Sequence, residues 1–282
     1  MSNSEHSRDN EHSRNSKAIT ERFAVAKDIV RQAAVTALEL FRDPQALQID
    51  AKGRLDWVSN ADRTVETQIR DALQTHFPAD GIIGEEHGSI SGETGFTWII
   101  DPIDGTSSYI SNMPGWCVVL ACVDANSTVI GVICDPVANE TWTATAGGGA
   151  CLNDLPTRVS DASSLEQGST AIGHNTRIDD NQTLQILEML LHAGGKFYTS
   201  GSGALMLTYV ASGRLLGYCE PHMNAWDCMA ALLIIEEAGG LVQKGNHARM
   251  MLEGGRVIAG APGVYNNLLD MSERAYGPFN AA

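Results

Sequence analysis

Apolar residues recur at helical spacing over residues 17 to 42, where Phe23, Ile29, Val30, Ala33, Ala37 and Leu40 share a face and Asp43-Pro44 ends the run. A second helix is predicted over 61 to 77, with Val65, Ile69, Ala72, Leu73 and Phe77 as its apolar stripe, Asn60 as its cap and Pro78 as its stop. The period then shortens. The runs at 81–84, 96–101, 115–124, 128–135 and 140–146 are rich in β-branched and aromatic residues and separated by turn residues, and the last three are spaced as antiparallel neighbours. The GGG at 147–149 reads as a hairpin turn and not as a phosphate-binding P-loop, since no Gly-Lys-Ser/Thr follows it.

The second half alternates between the two periods. Strands are predicted near 170–173, 196–199, 214–219, 241–243 and 256–259, and helices over 180–193, 203–212, 225–238 and 262–275. Helices, then a β-meander, then alternating units imply two sheets interleaved with helix layers. No Pro-, Gly- or Ser-rich linker divides the chain, so residues 17–282 are expected to form one unit, with halves at 17–146 and 147–282. Residues 1–16 hold a tandem polar hexapeptide, EHSRDN then EHSRNS, and read as a solvated, disordered leader.

Composition narrows the classes. With 43% hydrophobic and 19% charged residues in 282, the chain is expected to be globular and long enough to bury a sizeable core. The longest apolar stretches, such as 116–123, fall far short of the about 18 residues of a membrane span, and the N-terminus lacks the apolar core of a secretory signal. Six cysteines without a C-x-x-C pair suit reduced thiols and a cytoplasmic location. A net charge of −15 offers no basic footprint, and nucleic-acid and membrane partners are excluded on that ground.

The acids are concentrated where strands give way to turns or helices. Glu85 and Glu86 follow the apolar GIIG, Asp101 ends TWII with Asp104 three residues on, and Asp62 and Asp227 lie in first turns of helices. Taken singly, each has an ordinary use as a turn residue or a complement to a helix dipole. Taken together, they offer several hard oxygen donors at element ends, as a divalent-cation site requires. Asp-Pro-Ile-Asp bends the chain so that two carboxylates and a carbonyl can converge. Gly105 and Thr106 can then turn backbone N–H groups toward an anion.

The segments GEEHG, WIIDPIDGT and WDCMAALLIIEEAGG, in this order, resemble the signatures of the inositol monophosphatase family of metal-dependent, lithium-sensitive sugar phosphatases. The resemblance extends over about residues 17 to 275 and takes in DWVSNADRTVE and YVASGRLLGYCE. It implies an α+β fold, the layered αβαβα sandwich of the inositol monophosphatase and fructose-1,6-bisphosphatase type, and a cytoplasmic homodimer. It also implies about two to three Mg²⁺ ions, with Glu85, Asp101 and the carbonyl of Ile103 on the first. Asp101, Asp104 and Asp227 hold the second, and Glu85 with waters a weaker third. Asp62 and Thr106 match the pair that orients and deprotonates water, with Glu85 beside them, and Gly105 and Thr106 match the phosphate contacts. Glu220 matches a carboxylate that contacts substrate hydroxyls. Asp104, His222 and Asn224 are further candidate substrate contacts, Glu86 a supporting acid, and Lys52 a loop residue that shields the site.

The implied reaction is hydrolysis of a phosphate monoester by Mg-activated water, with myo-inositol phosphate as leading substrate and histidinol phosphate or another small sugar or nucleotide monophosphate as alternatives. Some bacterial relatives also act on transcription machinery, so a regulatory protein that keeps the fold is a further reading. The chain departs from the family pattern at Ser107, Ser108, Tyr109, Thr199, Leu216 and Ala231, positions that line the leaving-group side or a subunit interface. GHNTR at 173–177 is a weaker candidate for a polar contact. Seven of the 34 acids (Asp62, Glu85, Glu86, Asp101, Asp104, Glu220 and Asp227) fall in this constellation, so an anionic substrate is expected to bind only with the metals.

Overall fold

The computed structural model describes residues 2–53, 56–174 and 179–279. The chain opens with α1 (Ser2–Phe41), a hairpin of β1 (Ile49–Gly53) and β2 (Asp56–Ser59), and α2 (Asn60–His76). There follow β3 (Gly81–Gly84), β4 (Gly88–Ile90), β5 (Thr97–Asp104), α3 (Thr106–Ile110), β6 (Cys117–Val123), β7 (Thr128–Asp135), β8 (Glu140–Thr145), β9 (Gly149–Leu152) and β10 (Leu155–Pro156). The second half comprises β11 (Ser169–Ile172), α4 (Asp180–His192), β12 (Lys196–Tyr198), α5 (Gly203–Ala211), β13 (Gly217–Met223) and α6 (Ala225–Glu237). The chain then runs through β14 (Leu241–Val242), α7 (His247–Glu253), β15 (Gly255–Gly260) and α8 (Pro262–Tyr276).

Two sheets and three helix layers alternate as αβαβα. The larger sheet has the order β10-β9-β8-β7-β6-β5-β3-β4 and is antiparallel except where β3 runs parallel to β5. The smaller has the order β12-β11-β13-β15-β14. Alternation along β6 shows why its sequence is apolar throughout: Val118, Leu120 and Cys122 meet α1 and α2, while Val119, Ala121 and Val123 meet α5 and α6. In the smaller sheet Tyr218 joins that same central cluster, and Cys219 on the opposite face packs with Ile186 of α4 and Leu268 of α8. Gly131 on β7 lets α6 approach, since a Cβ there would stand 2.6 Å from the Ala230 carbonyl oxygen. Among the described residues no helix is long and apolar enough to cross a membrane, and all six cysteines are free thiols.

The predicted elements recur, with differences at their ends and among the short elements. Helical backbone in α1 begins at Ser2, and its packed stripe starts at Ala18. The cap of α2 is Ser59 and not Asn60, whose side-chain oxygen instead accepts from the Gln48 N–H at 2.9 Å. β5 does not end at Asp101: pairing with β6 resumes at Asp104 after a bulge over Pro102 and Ile103. β13 runs on through Glu220 to Met223. The β1–β2 hairpin, β4, α3, the short β9 and β10 and α7 went unpredicted because none has a long periodic stripe.

Arg22 of α1 grips Asp80 just before β3, with Nε 2.8 Å from Oδ2 and Nη2 2.7 Å from Oδ1, and Trp98 Nε1 donates to Oδ2 at 3.0 Å. The guanidinium lies over Phe96 at 4.1 Å, so an aromatic face covers the buried charge pair. It anchors the strand that leads into Glu85.

Candidate active site

Asp62 is held by the start of its own helix. Its Oδ2 accepts from the Ser59 N–H at 2.8 Å and the Ser59 hydroxyl at 2.7 Å, and the Ser59 oxygen accepts from Ala61 N–H at 3.1 Å. Oδ1 faces Thr106 Oγ1 at 3.4 Å, and that hydroxyl is also 3.1 Å from the Ile103 carbonyl oxygen. Burial pushes the Asp62 carboxyl above its ordinary value and the charge of Glu86 adds to this, against hydrogen bonds from Ser59.

The bulge in β5 aims the next donors. Asp101 Oδ1 accepts from the Ile103 N–H at 3.0 Å, which folds the carboxylate back over its own turn. Gly105 then adopts φ +99°, a left-handed conformation in which a Cβ would lie 2.7 Å from the Gly115 carbonyl oxygen. This reversal starts α3 and brings Thr106 under Asp62. Asp104 Oδ2 accepts from the Ser202 hydroxyl and from the Ala204 N–H at 2.7 Å, both at the start of α5.

Asp227 arrives from α6. Its Oδ2 accepts from the backbone and side-chain N–H groups of Asn224 at 3.0 and 3.2 Å, which fixes the carboxylate against the helix start. One carboxylate oxygen each from Asp101, Asp104 and Asp227 lies within 4.8 Å of the others. Burial pushes Asp101 well above the usual carboxylate range, and the charges of Glu85, Asp104, Asp227 and Asp62 push the same way. Burial and then the charges of Asp104 and Glu85 do the same to Asp227. Burial lifts Asp104 to about 6 against the donors from Ser202, Ala204 and Gly203. Three carboxylates that repel one another, those of Asp101 and Asp104 buried and that of Asp227 half-buried, with the Ile103 carbonyl on the bulge between Asp101 and Asp104, fit a hard divalent cation.

Glu85 stands in the turn after β3, its N–H directed to the Ile100 carbonyl at 3.3 Å and its charge felt by Asp101 and Asp227. Glu86 lies next to it and acts on Asp62. Glu220 is buried on β13, where it accepts from the Tyr218 hydroxyl, and its charge reaches Asp227. The structure therefore brings Asp101, Asp104 and Asp227 together, sets Thr106 between Asp62 and the Ile103 carbonyl, and has the charges of Glu85 and Glu220 act on Asp227.

Other candidates lie elsewhere. His222 turns its Nε2 toward the Glu253 carbonyl oxygen at 2.9 Å and lines a cavity of about 410 Å³ between α6 and α7. Asn224 is the N-cap residue of α6 and donates to Asp227. Tyr109 is fully buried and donates to the Ala37 carbonyl at 2.7 Å, while Leu216 and Ala231 are core residues, so these three departures do not line a leaving-group pocket. In GHNTR, His174 is 3.0 Å from Thr183 Oγ1, and Asn175, Thr176 and Arg177 lie outside the described residues. The Lys52 side chain also lies outside them.

Sequence reasoning missed Ser59, Glu66, Ser202 and Tyr218, all buried polar partners of the acids. Only Glu66 carried a signal: it falls on the apolar stripe of α2 with Val65 and Ile69, where a charge has to find a partner.

An αβαβα sandwich whose sheet ends and helix starts converge on buried carboxylates defines a class built around an oxygen-donor metal centre. The chain belongs to the inositol monophosphatase family, whose pattern matches residues 19–274. It is 34% identical over 249 residues to the Nus factor SuhB of Haemophilus influenzae, covering 87% of this chain and 93% of that protein. It is 36% identical over 256 residues to the inositol-1-monophosphatase of Mesorhizobium japonicum, covering 88% and 96%. The crystal structure of the extragenic suppressor protein suhB from Bartonella henselae superposes with a TM-score of 0.83 at 32% identity, over 90% of this chain and 97% of that one. Relatives named as Nus factors remove the support for excluding nucleic-acid partners from a charge of −15, because net charge averages over a surface and does not describe a local patch.

Proposed function

We propose that this chain is a Mg²⁺-dependent phosphate monoester hydrolase with myo-inositol monophosphate as its leading substrate. The observation that carries the reading is the convergence of Asp101, Asp104 and Asp227 within 4.8 Å beside the Asp62–Thr106 pair. Glu85, Asp101 and the Ile103 carbonyl would hold one ion, Asp101, Asp104 and Asp227 a second, and Glu85 with waters a weaker third. Bound Mg²⁺ supplies a lowered water pKa and positive charge for the phosphoryl and leaving oxygens. Thr106 Oγ1, between the Ile103 carbonyl and Asp62, orients the attacking water, and Asp62 takes its proton. Its raised pKa makes it a better proton acceptor than an ordinary carboxylate. Gly105 and Thr106 present N–H groups to the phosphate, and Glu220 receives a hydroxyl of the alcohol.

The free thiols suit a cytoplasmic enzyme. Leu184 and Leu191 of α4 and Phe197 of the edge strand β12 are exposed apolar side chains that suit a homodimer. Lithium sensitivity is expected by family likeness. A second, regulatory reading is favoured by the relatives named Nus factor SuhB. Phosphate release from inositol, histidinol, nucleotide and sugar monophosphates, with and without Mg²⁺ and Li⁺, tests the first reading. Mg²⁺-dependent release supports it, faster release from histidinol phosphate replaces the leading substrate, and release from none leaves the regulatory reading.

A further inference from the structure

We propose that Glu66 is a positioning residue that sets the Glu85 carboxylate at the metal centre; this rests on the metal-dependent reading above. Glu66 is fully buried, four residues along α2 from Asp62 and so on the same face of the helix. Its Oε2 accepts from the Glu86 N–H at 2.7 Å and its Oε1 from the His87 N–H at 3.1 Å. The two backbone donors that follow Glu85 are thereby pinned from below.

Arg70, a further turn along, donates Nε to Glu66 Oε1 at 2.6 Å and reaches the Gly88 carbonyl with Nη2. This pair runs directly beneath Gly84, where any Cβ would collide with the Glu66 carboxylate and the Arg70 guanidinium. The GEEHG turn thus lies on a charged platform that α2 provides. One rigid helix carries Asp62 toward Thr106 and, through Glu66, Glu85 toward Asp101. Without the platform, metal binding would have to order the turn, and affinity would fall by that cost.

A buried ion pair serving stability alone would show in unfolding and not in metal affinity. Isothermal titration calorimetry of the full chain with Mg²⁺ alone, for wild type, E66Q and E85Q, separates the two. E66Q is expected to weaken Mg²⁺ binding by about 10- to 100-fold, as loss of an outer partner does. The Mg²⁺ needed for half-maximal phosphate release rises in parallel, and excess Mg²⁺ restores turnover in part. An unchanged Mg²⁺ Kd in E66Q, where E85Q loses binding, overturns the proposal even if the melting temperature falls. Should E66Q fail to fold, E66D, which keeps the charge beside Arg70 but withdraws it from the turn, must weaken binding likewise, and an unchanged Kd there overturns it. Wild-type Mg²⁺ binding without hydrolysis of any monoester defeats the hydrolase reading while the calorimetric comparison still decides the role of Glu66.

Discussion

The backbone N–H of Ala204 donates to Oδ2 of Asp104 at 2.7 Å, joining the end of β5 to the first turn of α5. Ser202 donates to the same oxygen and caps α5 by accepting from the Leu205 N–H at 3.1 Å. Ser202→Ala is expected to cost about 0.5–2 kcal/mol in urea unfolding, as loss of a cap does. Turnover should drop with it, since Asp104 loses its hydroxyl donor. Asp104→Asn keeps an oxygen for Ala204 and should fold normally while turnover falls by orders of magnitude. Near-normal Mg²⁺-dependent hydrolysis by that variant would defeat the two-metal assignment.

Without metal, the acids oppose folding. The Asp104 carboxyl is lifted from 3.8 to about 6 in the folded chain, so the folded state binds its proton more tightly than the unfolded state. Its contribution to stability is therefore intact below about 3.8 and lost as pH rises through about 6. In EDTA at pH 7.5, Asp104→Asn is expected to melt above wild type, and the gap should narrow at pH 5. Mg²⁺ at 100 times its Kd should stabilise wild type at pH 7.5 by about 2.7 kcal/mol. A melting temperature indifferent to both EDTA and this substitution would contradict the account.

Gly131→Ala places a methyl 2.6 Å from the Ala230 carbonyl oxygen and 3.2 Å from the Ala230 Cα, so α6 has to move off β7. A cost of about 1–3 kcal/mol is expected from overpacking. Because α6 carries Asp227, Mg²⁺ affinity should fall as well. Adding Ala230→Gly should not rescue it, since the collision is with backbone. Calorimetry and urea titration of both variants check this.

Arg22→Met strands the buried Asp80 carboxylate, and a loss of about 3–5 kcal/mol is expected in chemical unfolding. Adding Asp80→Asn should recover part of it, because the uncompensated charge disappears while the amide oxygen still accepts from one of the two donors, Trp98 or Thr94. A double variant no more stable than Arg22→Met would show that the aromatic stacking of the guanidinium, and not its charge, holds α1.

Long periodic segments were legible before folding. α2, β6, β7 and α6 carry patterns that local physics reads directly, and Asp101-Pro-Ile-Asp-Gly-Thr announced its turn through residues with restricted or unusually free backbones. Tyr109 was misjudged from its place beside that motif. Its hydroxyl finds the Ala37 carbonyl, 72 residues away, and nothing local foretells such a partner.

By itself the sequence determined where the long helices and strands form and that several acids lie near their ends, because period and turn chemistry act over a few residues. Only the tertiary structure decided that Asp101, Asp104 and Asp227 meet within 4.8 Å, that Ser202 closes on Asp104 across 98 residues, and that Glu66 accepts from the Glu86 N–H in the turn after β3. Those meetings depend on strand register, the bulge in β5 and the close approach of α6 at Gly131. A carboxylate taken out of water must also find donors or a cation wherever packing brings them.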